Sequence, residues 1–331
     1  MADSKRKKGL RVISPDEFLD RQRDLRKEYQ SQYYAMYSSI WDGIVTDPVL
    51  MMIPIDDHMV HRGDAVFEAF KSVKGNLYNV HRHLKRLEYS ASRIAIPLPF
   101  TLDEILWIVK ETIRVSGHKD CLVRLFVSRG PGGFTTDPYE CPKSQLYVVI
   151  TELRYPPKEK YEKGVRVKVS NVPVKPSFFA NIKSCNYLPN VLMKKEAVDS
   201  GVDFVICLDE FGYLGESTTE NFGMVSKDNV LKFPKFDRIL RGTTVVRASE
   251  LAKNLVERGV VEKVEFSDIT VGEALEAREM MMFGTTFDIL PIVEFNGAII
   301  GGGEPGAVFK TLYELLLKDI HYGKEFLEPV F

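Results

Sequence analysis

Cysteine is scarce in this chain, and the little there is does not cluster. Cys121, Cys141, Cys185 and Cys207 form no CxxC pair and stand far apart. That spacing argues against a zinc site or a disulfide framework and fits reduced thiols. No metal is expected. Long apolar runs are also missing, and none approaches the roughly 20 residues that span a bilayer. The first eight residues, Met1 to Lys8, are polar and lack the apolar core of a signal peptide. The expectation is a cytoplasmic protein with no membrane partner. An excess of one charge sign is absent too. The formal net charge is -1, so neither nucleic acid nor an anionic surface is expected as a partner. The basic run Lys5 to Lys8 reads as part of a solvated tail. There is no internal repeat and no low-complexity segment.

What is present is ordinary globular composition, 44% apolar and 27% charged, over 331 residues. That length suits two domains better than one core. Ser14-Pro15-Asp16-Glu17 has the chemistry of a helix start, and roughly helical apolar spacing predicts an amphipathic helix over 15–38. Residues 1–43 are therefore read as a tail and helix. Residues 44–152 read as a small α+β domain. It has a hairpin over 65–80 turning at Lys74-Gly75-Asn76, helices at 83–94 and from Thr101 to Gly117, and strands at 121–128 and 145–151. Residues 153–164 are polar with two prolines and read as a linker. Residues 165–331 read as a larger α/β domain, with a helix over 188–200, another from Gly242 to about Glu257 and a last one over 305–317.

Five local features invite chemistry. The first is Lys183, at the end of an apolar run and just before a helix. Alone it reads either as a loop lysine in water or as a buried amine, and buried lysines lose their charge and become nucleophiles. The second is Leu214-Gly215-Glu216-Ser217-Thr218-Thr219-Glu220-Asn221, a turn rich in acid and hydroxyl that also suits an ordinary polar loop. The third is Arg86 on a basic helix face. The fourth is Gly242-Thr243-Thr244 at a helix start, where free N–H groups suit a phosphate or the threonine simply caps the helix. The fifth is Gly284-Thr285-Thr286, a small-residue turn after the apolar strand Met280 to Phe283. Together they supply a nucleophilic amine, a carboxylate, an arginine and two hydroxyl-bearing loops. Pyridoxal phosphate needs that set of groups.

These stretches, in this order, resemble the fold-type IV pyridoxal-phosphate enzymes: branched-chain aminotransferases, D-amino-acid aminotransferases and aminodeoxychorismate lyases. The resemblance covers roughly residues 44–320. Arg62-Gly63-Asp64-Ala65-Val66-Phe67-Glu68 looks like the pocket-lining strand, and His83-Leu84-Lys85-Arg86-Leu87 like the phosphate-arginine helix. Lys183-Ser184-Cys185-Asn186-Tyr187-Leu188-Pro189-Asn190 looks like the Schiff-base segment. The resemblance implies a two-domain fold-type IV architecture, with a larger α/β-barrel-like domain and pyridoxal 5'-phosphate in the cleft. It implies that Lys183 carries the cofactor as a Schiff base, that Glu216 meets the pyridine nitrogen and that Tyr187 lies near the phenolic oxygen. Arg86, Thr243, Thr244 and Thr285 then belong to the phosphate loops, and Phe67 and Thr286 to the substrate pocket.

Two departures bear on substrate. The Arg-x-His carboxylate trap of D-amino-acid enzymes is missing from Gly130 to Thr136. Of the tyrosine and Tyr-x-Arg set of branched-chain enzymes only Arg124 is retained, while Arg62 adds a cation. The expectation is that Arg62 or Arg124 meets a substrate carboxylate. The resemblance thus implies a homodimeric aminotransferase acting on a branched-chain or other apolar amino acid, with a 2-oxo acid such as 2-oxoglutarate as partner. Alternatives are an aminodeoxychorismate-lyase-like enzyme, a D-amino-acid aminotransferase and a non-catalytic homologue that only binds cofactor or a partner.

Overall fold

The computed structural model describes residues 10–331, and the Lys5 to Lys8 run lies outside them. The chain builds two sheets. The first contains β1 (Tyr33–Ser38), β2 (Gly43–Val45), β3 (Ala65–Val73), β4 (Asn76–Tyr78), β5 (Cys121–Ser128) and β6 (Gln145–Thr151). Its order is β4-β3-β5-β6-β1-β2, antiparallel throughout. The β3–β4 hairpin turns on Lys74 and Gly75, at φ 52° and 77°. Successive positive φ values match the right-handed strand twist, and glycine takes the second without strain.

Of the first helices, α1 (Pro15–Asp24) and α2 (His58–Arg62) precede β3, and α3 (Val80–Arg93) and α4 (Leu102–Ser116) follow the hairpin. Leu84, Leu87 and Ala91 of α3 and Ile105, Val109 and Ile113 of α4 recur at helical spacing. They pack against Val66, Phe70, Val123, Leu125 and Val127 of the sheet. Each such aliphatic burial contributes roughly 1.5–3 kcal/mol. Thr101 and Glu104 form the expected capping box, and Gly117 ends α4 at φ 72°.

The 153–164 segment contains a short helix, α5 (Lys158–Lys163). The second sheet follows: β7 (Val165–Val169), β8 (Phe204–Ile206), β9 (Asn221–Val225), β10 (Val230–Pro234), β11 (Lys263–Ser267), β12 (Glu279–Gly284), β13 (Asp288–Phe295) and β14 (Ala298–Ile299). Its order is β11-β10-β9-β12-β13-β7-β8, with β14 on β13, and it mixes parallel and antiparallel pairs. Its helices are α6 (Ser177–Ala180), α7 (Leu188–Asp199), α8 (Thr243–Leu251), α9 (Lys253–Glu257), α10 (Val271–Leu275) and α11 (Ala307–Tyr322). Leu312, Leu316 and Ile320 of α11 close the core over Phe283 and Ile289.

Three expected boundaries shift. The 15–38 helix ends at Asp24, and Tyr33–Ser38 is a strand. Tyr33, Tyr34 and Tyr37 suit a pleated surface, and pairing with β6 buries Ala35, Met36 and Tyr37. So the first sheet begins before residue 44. The 165–331 unit also gives back its end, because β15 (Leu327–Pro329) pairs with β4 of the first sheet. A three-residue edge strand with a proline has almost no periodicity to read. The helix from Gly242 is interrupted at Ala252 and forms α8 and α9. No helix among the described residues is long and apolar enough to cross a membrane.

Candidate active site

The alternation of β3 and β5 creates one wall. Phe67 pairs with Phe126 and Ala69 with Arg124 across the two strands. These positions share a sheet face, opposite the face that carries Val66 and Phe70 into the core. Lys183 then joins the same strand. Val66 bridges Ser184, the Phe67 N–H donates to the Lys183 carbonyl (2.9 Å) and the Cys185 N–H donates to the Ala65 carbonyl (2.9 Å). The Lys183 N–H donates to Ser90 Oγ at 3.2 Å. The lysine belongs to the second half of the chain, yet its backbone is held by the first sheet and α3.

The side chain of Lys183 is 7% exposed. Its Nζ lies 4.6 Å from the Phe67 ring centroid. Burial is the main reason its pKa falls from 10.5 to about 8, and the nearby Arg86 charge adds to the fall. This is a buried amine on its way to being a free base, not a lysine in water.

Glu216 follows from a tight return of the chain. Leu208 bridges Leu214, and the Cys207 N–H donates to the Glu216 carbonyl at 2.9 Å. Glu216 Oε2 accepts from the Leu240 N–H at 3.0 Å. Desolvation dominates and pushes its carboxyl up to about 7, against that hydrogen bond and the charges of Lys175 and Lys183. The loop beyond it is fixed by Asn190, whose amide donates to the Thr218 carbonyl, and by Asn221, whose amide donates to the Leu240 carbonyl (3.0 Å).

Arg86 is largely committed to a buried partner. It donates from Nε to Glu68 Oε1 (2.7 Å) and from Nη2 to Glu68 Oε2 (2.8 Å), and from Nη1 to the Arg241 carbonyl (3.0 Å). The guanidinium beside Glu68 holds that carboxyl down at about 2 despite complete burial. Glu68 also meets His83 Nδ1 at 2.7 Å, and His83 Nε2 meets Thr243 Oγ1 at 3.0 Å. An ionised carboxylate only accepts, and burial holds the His83 pKa below its usual value. A neutral ring therefore donates from Nδ1 and accepts the Thr243 hydroxyl proton at Nε2. The network ties the first sheet to the start of α8. It leaves the Thr244 hydroxyl and the helix-start N–H groups for an anion, because no side chain caps α8.

These groups converge on one cavity of about 410 Å³, lined by Phe67, Arg86, Arg124, Lys183, Tyr187, Glu216, Thr243, Thr244, Thr285 and Thr286 among others. The size is within the usual range for small-molecule sites. Of the expected site residues only Arg62 is outside it. Arg62 donates from Nε to the Thr135 carbonyl (3.2 Å) and from Nη2 to the Phe134 carbonyl (2.8 Å). It is taken up in fixing the 130–136 loop, and its position at the end of α2, before Gly63 at φ 67°, aims it there. Of Arg62 and Arg124, the two cations expected to meet a substrate carboxylate, only Arg124 lines this cavity. A residue the sequence reading missed is Lys175, which does line the cavity. Its only signal was a lysine between Pro173 and Pro176, eight positions before Lys183.

The arrangement fits pyridoxal phosphate. At Gly242 and Gly284 a Cβ would collide with Asn221 Oδ1 (2.0 Å) and the Phe287 ring (2.8 Å), so close packing under both loops requires glycine. The Ser217 hydroxyl and Asn190 Oδ1 are buried without partners among the described residues. An anion cradle, a desolvated acid and a desolvated amine stand in one enclosure.

A model described as amino-transferase class IV matches residues 65–295. The chain is 40% identical over 293 residues to "D-amino-acid transaminase, chloroplastic" of Arabidopsis thaliana, covering 88% of this chain and 78% of that protein. It is 34% identical over 282 residues to a putative branched-chain-amino-acid aminotransferase of Methanocaldococcus jannaschii, covering 84% and 94%. Its structure superposes on a crystal structure of a T.th. branched-chain amino acid aminotransferase with pyridoxamine 5'-phosphate at a TM-score of 0.83 and 26% identity, covering 90% and 99%.

Proposed function

The chain belongs to the class IV aminotransferases, and from that premise we propose that it moves an amino group from a branched-chain or other apolar amino acid to a 2-oxo acid such as 2-oxoglutarate. The observation that carries the proposal is Lys183, a buried amine facing the desolvated Glu216 in one cavity. Pyridoxal 5'-phosphate is the cofactor. Lys183 would bind it, Glu216 would hold its pyridine nitrogen, and Tyr187 would face its phenolic oxygen. Arg86, the α8 N-terminus with Thr243 and Thr244, and Thr285 would hold its phosphate. When bound, the cofactor supplies an electron sink for the substrate's α-carbon.

The residues of the chain do the rest. Lys183, with its pKa lowered to about 8, accepts a proton at Nζ and returns it near neutral pH. Glu216 supplies the negative charge that keeps a ring nitrogen protonated. Phe67 and Phe126, with ring centroids 5.9 Å apart, with Ala69 and Leu122, give the apolar wall that suits an apolar side chain. Arg124 is exposed at that wall, a cation open to the second carboxylate of an acceptor such as 2-oxoglutarate.

A second reading, a D-amino donor, is favoured by the 40% identity to the D-amino-acid transaminase of Arabidopsis thaliana. A screen of L and D donors against 2-oxo acids, with chiral analysis of the donor consumed, tests both readings, and release of pyruvate from aminodeoxychorismate without an acceptor tests the lyase. A colourless protein that cannot be reconstituted with the cofactor refutes the enzyme altogether.

The protein acts as a homodimer in this reading. Leu188, Val191 and Leu192 lie on one face of α7 at i, i+3 and i+4 and are 69%, 59% and 45% exposed, with Phe178 and Phe179 also exposed. Apolar clusters of this kind mark interaction surfaces. Sedimentation gives the mass. A cytoplasmic location is read from four free thiols, and fractionation against plastid markers tests it.

A further inference from the structure

Of the four lysines and arginines that line the cavity, two are already committed. Arg86 is paired with Glu68, and Lys183 is the amine that reacts. Arg124 is exposed and lines both this cavity and a neighbouring one that runs toward Met36, Met51 and Ile53. Lys175 is different. It lies on the strap between β7 and α6, held where the Val174 N–H donates to the Leu208 carbonyl at 3.0 Å. Its Nζ is 4.7 Å from the Tyr187 ring centroid. Tyr187 packs edge-on to Phe67 at 5.0 Å, and Lys183 lies 4.6 Å over that same Phe67 ring. The two ammonium groups thus flank one aromatic pair. Among the described residues Lys175 has no carboxylate within ion-pair distance, although Glu216 lies close enough to act on it through space.

A cation half-hidden from water without an ion-pair partner is costly. That cost is offset when an anion arrives, and the anion that every substrate of this reaction brings is the carboxylate on the reacting carbon. We propose that Lys175 binds the α-carboxylate of the incoming amino acid or 2-oxo acid. This rests on the aminotransferase reading given above. It gives the α-carboxylate to a cation other than Arg62 and Arg124, the two the sequence suggested for a substrate carboxylate.

The test uses the cofactor-loaded enzyme and its Lys175→Met and Lys175→Arg variants, with 2-oxoglutarate and 4-methyl-2-oxopentanoate as acceptors. Visible absorbance first establishes that each variant holds cofactor. The expected result is a rise in KM of tenfold or more for both acceptors in Lys175→Met, with kcat falling much less, and recovery of most of the affinity in Lys175→Arg. A fall in kcat at unchanged KM overturns the proposal, because it places Lys175 in the electrostatics of Glu216. A rise confined to the dicarboxylate overturns it as well, and so do unaltered kinetics. If Lys175→Met does not fold, Lys175→Arg and Lys175→Gln carry the same comparison. Absence of transamination by the wild-type enzyme refutes the aminotransferase reading itself and is a separate result.

Discussion

Replacing Lys183 by methionine should abolish turnover and stabilise the cofactor-free protein. The side chain is 7% exposed, and burial above all lowers its pKa from 10.5 to about 8. Between those values the unfolded chain holds a proton that the folded protein does not, so folding stability rises with pH across that window. Below pH 8 both states are protonated, and the full penalty of the buried charge is present. At 1.36 kcal/mol per pH unit that penalty is roughly 3 kcal/mol. Methionine fills a similar volume without the charge. Urea unfolding of the cofactor-free wild type and Lys183→Met should show the variant more stable by up to that amount at pH 7. The gap should shrink as pH rises from 8 toward 10.5. A variant less stable than wild type at pH 7, or a gap that ignores pH, would refute the electrostatic account of this lysine.

Other perturbations follow the same geometry. Arg86→Ala leaves the fully buried Glu68 carboxylate without its bidentate partner. It should cost about 3–5 kcal/mol in denaturant melts and weaken cofactor retention in dialysis. Glu68 has a folded pKa of about 2 against an ordinary 4.5. Its contribution to wild-type stability is present above pH 4.5 and should be lost as pH falls through about 2, whereas in Arg86→Ala burial favours the protonated Glu68 carboxyl, so the deficit from wild type should shrink in an acid titration. Glu216→Gln should keep the fold and lower kcat by roughly 100-fold, the scale of losing one preorganised electrostatic partner. Arg62→Ala removes two hydrogen bonds to the 130–136 loop. It should leave KM for the amino donor within roughly twofold, as expected for an exposed side chain remote from the cavity, while limited proteolysis of that loop quickens.

Most of the fold was legible where burial and period agree. The α4 capping box, the Lys74-Gly75 turn and strands β5 and β6 lie where capping, turn chemistry and alternation put them. Two of the three shifted boundaries share one physical cause, pairing between distant segments. The tyrosines of Tyr33–Ser38 lean toward a strand, but it is the edge offered by β6 that decides. The β15 strand exists only because β4 leaves an edge for it.

The site divides along the same line. Lys183, Arg86, Glu216 and the threonine loops are bound to motifs whose spacing survives in sequence. What no motif carries is which polar groups are already satisfied. Arg62 and Lys175 are each one cation among 45 lysines and arginines. Only in three dimensions is one seen to donate to loop carbonyls and the other to have, among the described residues, no ion-pair partner beside the reacting amine. Specificity in this pocket is therefore a question of uncommitted charge. A substrate carboxylate finds affinity only at a cation the protein has not already paired. By that criterion Glu68 takes Arg86 out of the contest, the Phe134 and Thr135 carbonyls take Arg62, and Arg124 and Lys175 are left to read the substrate.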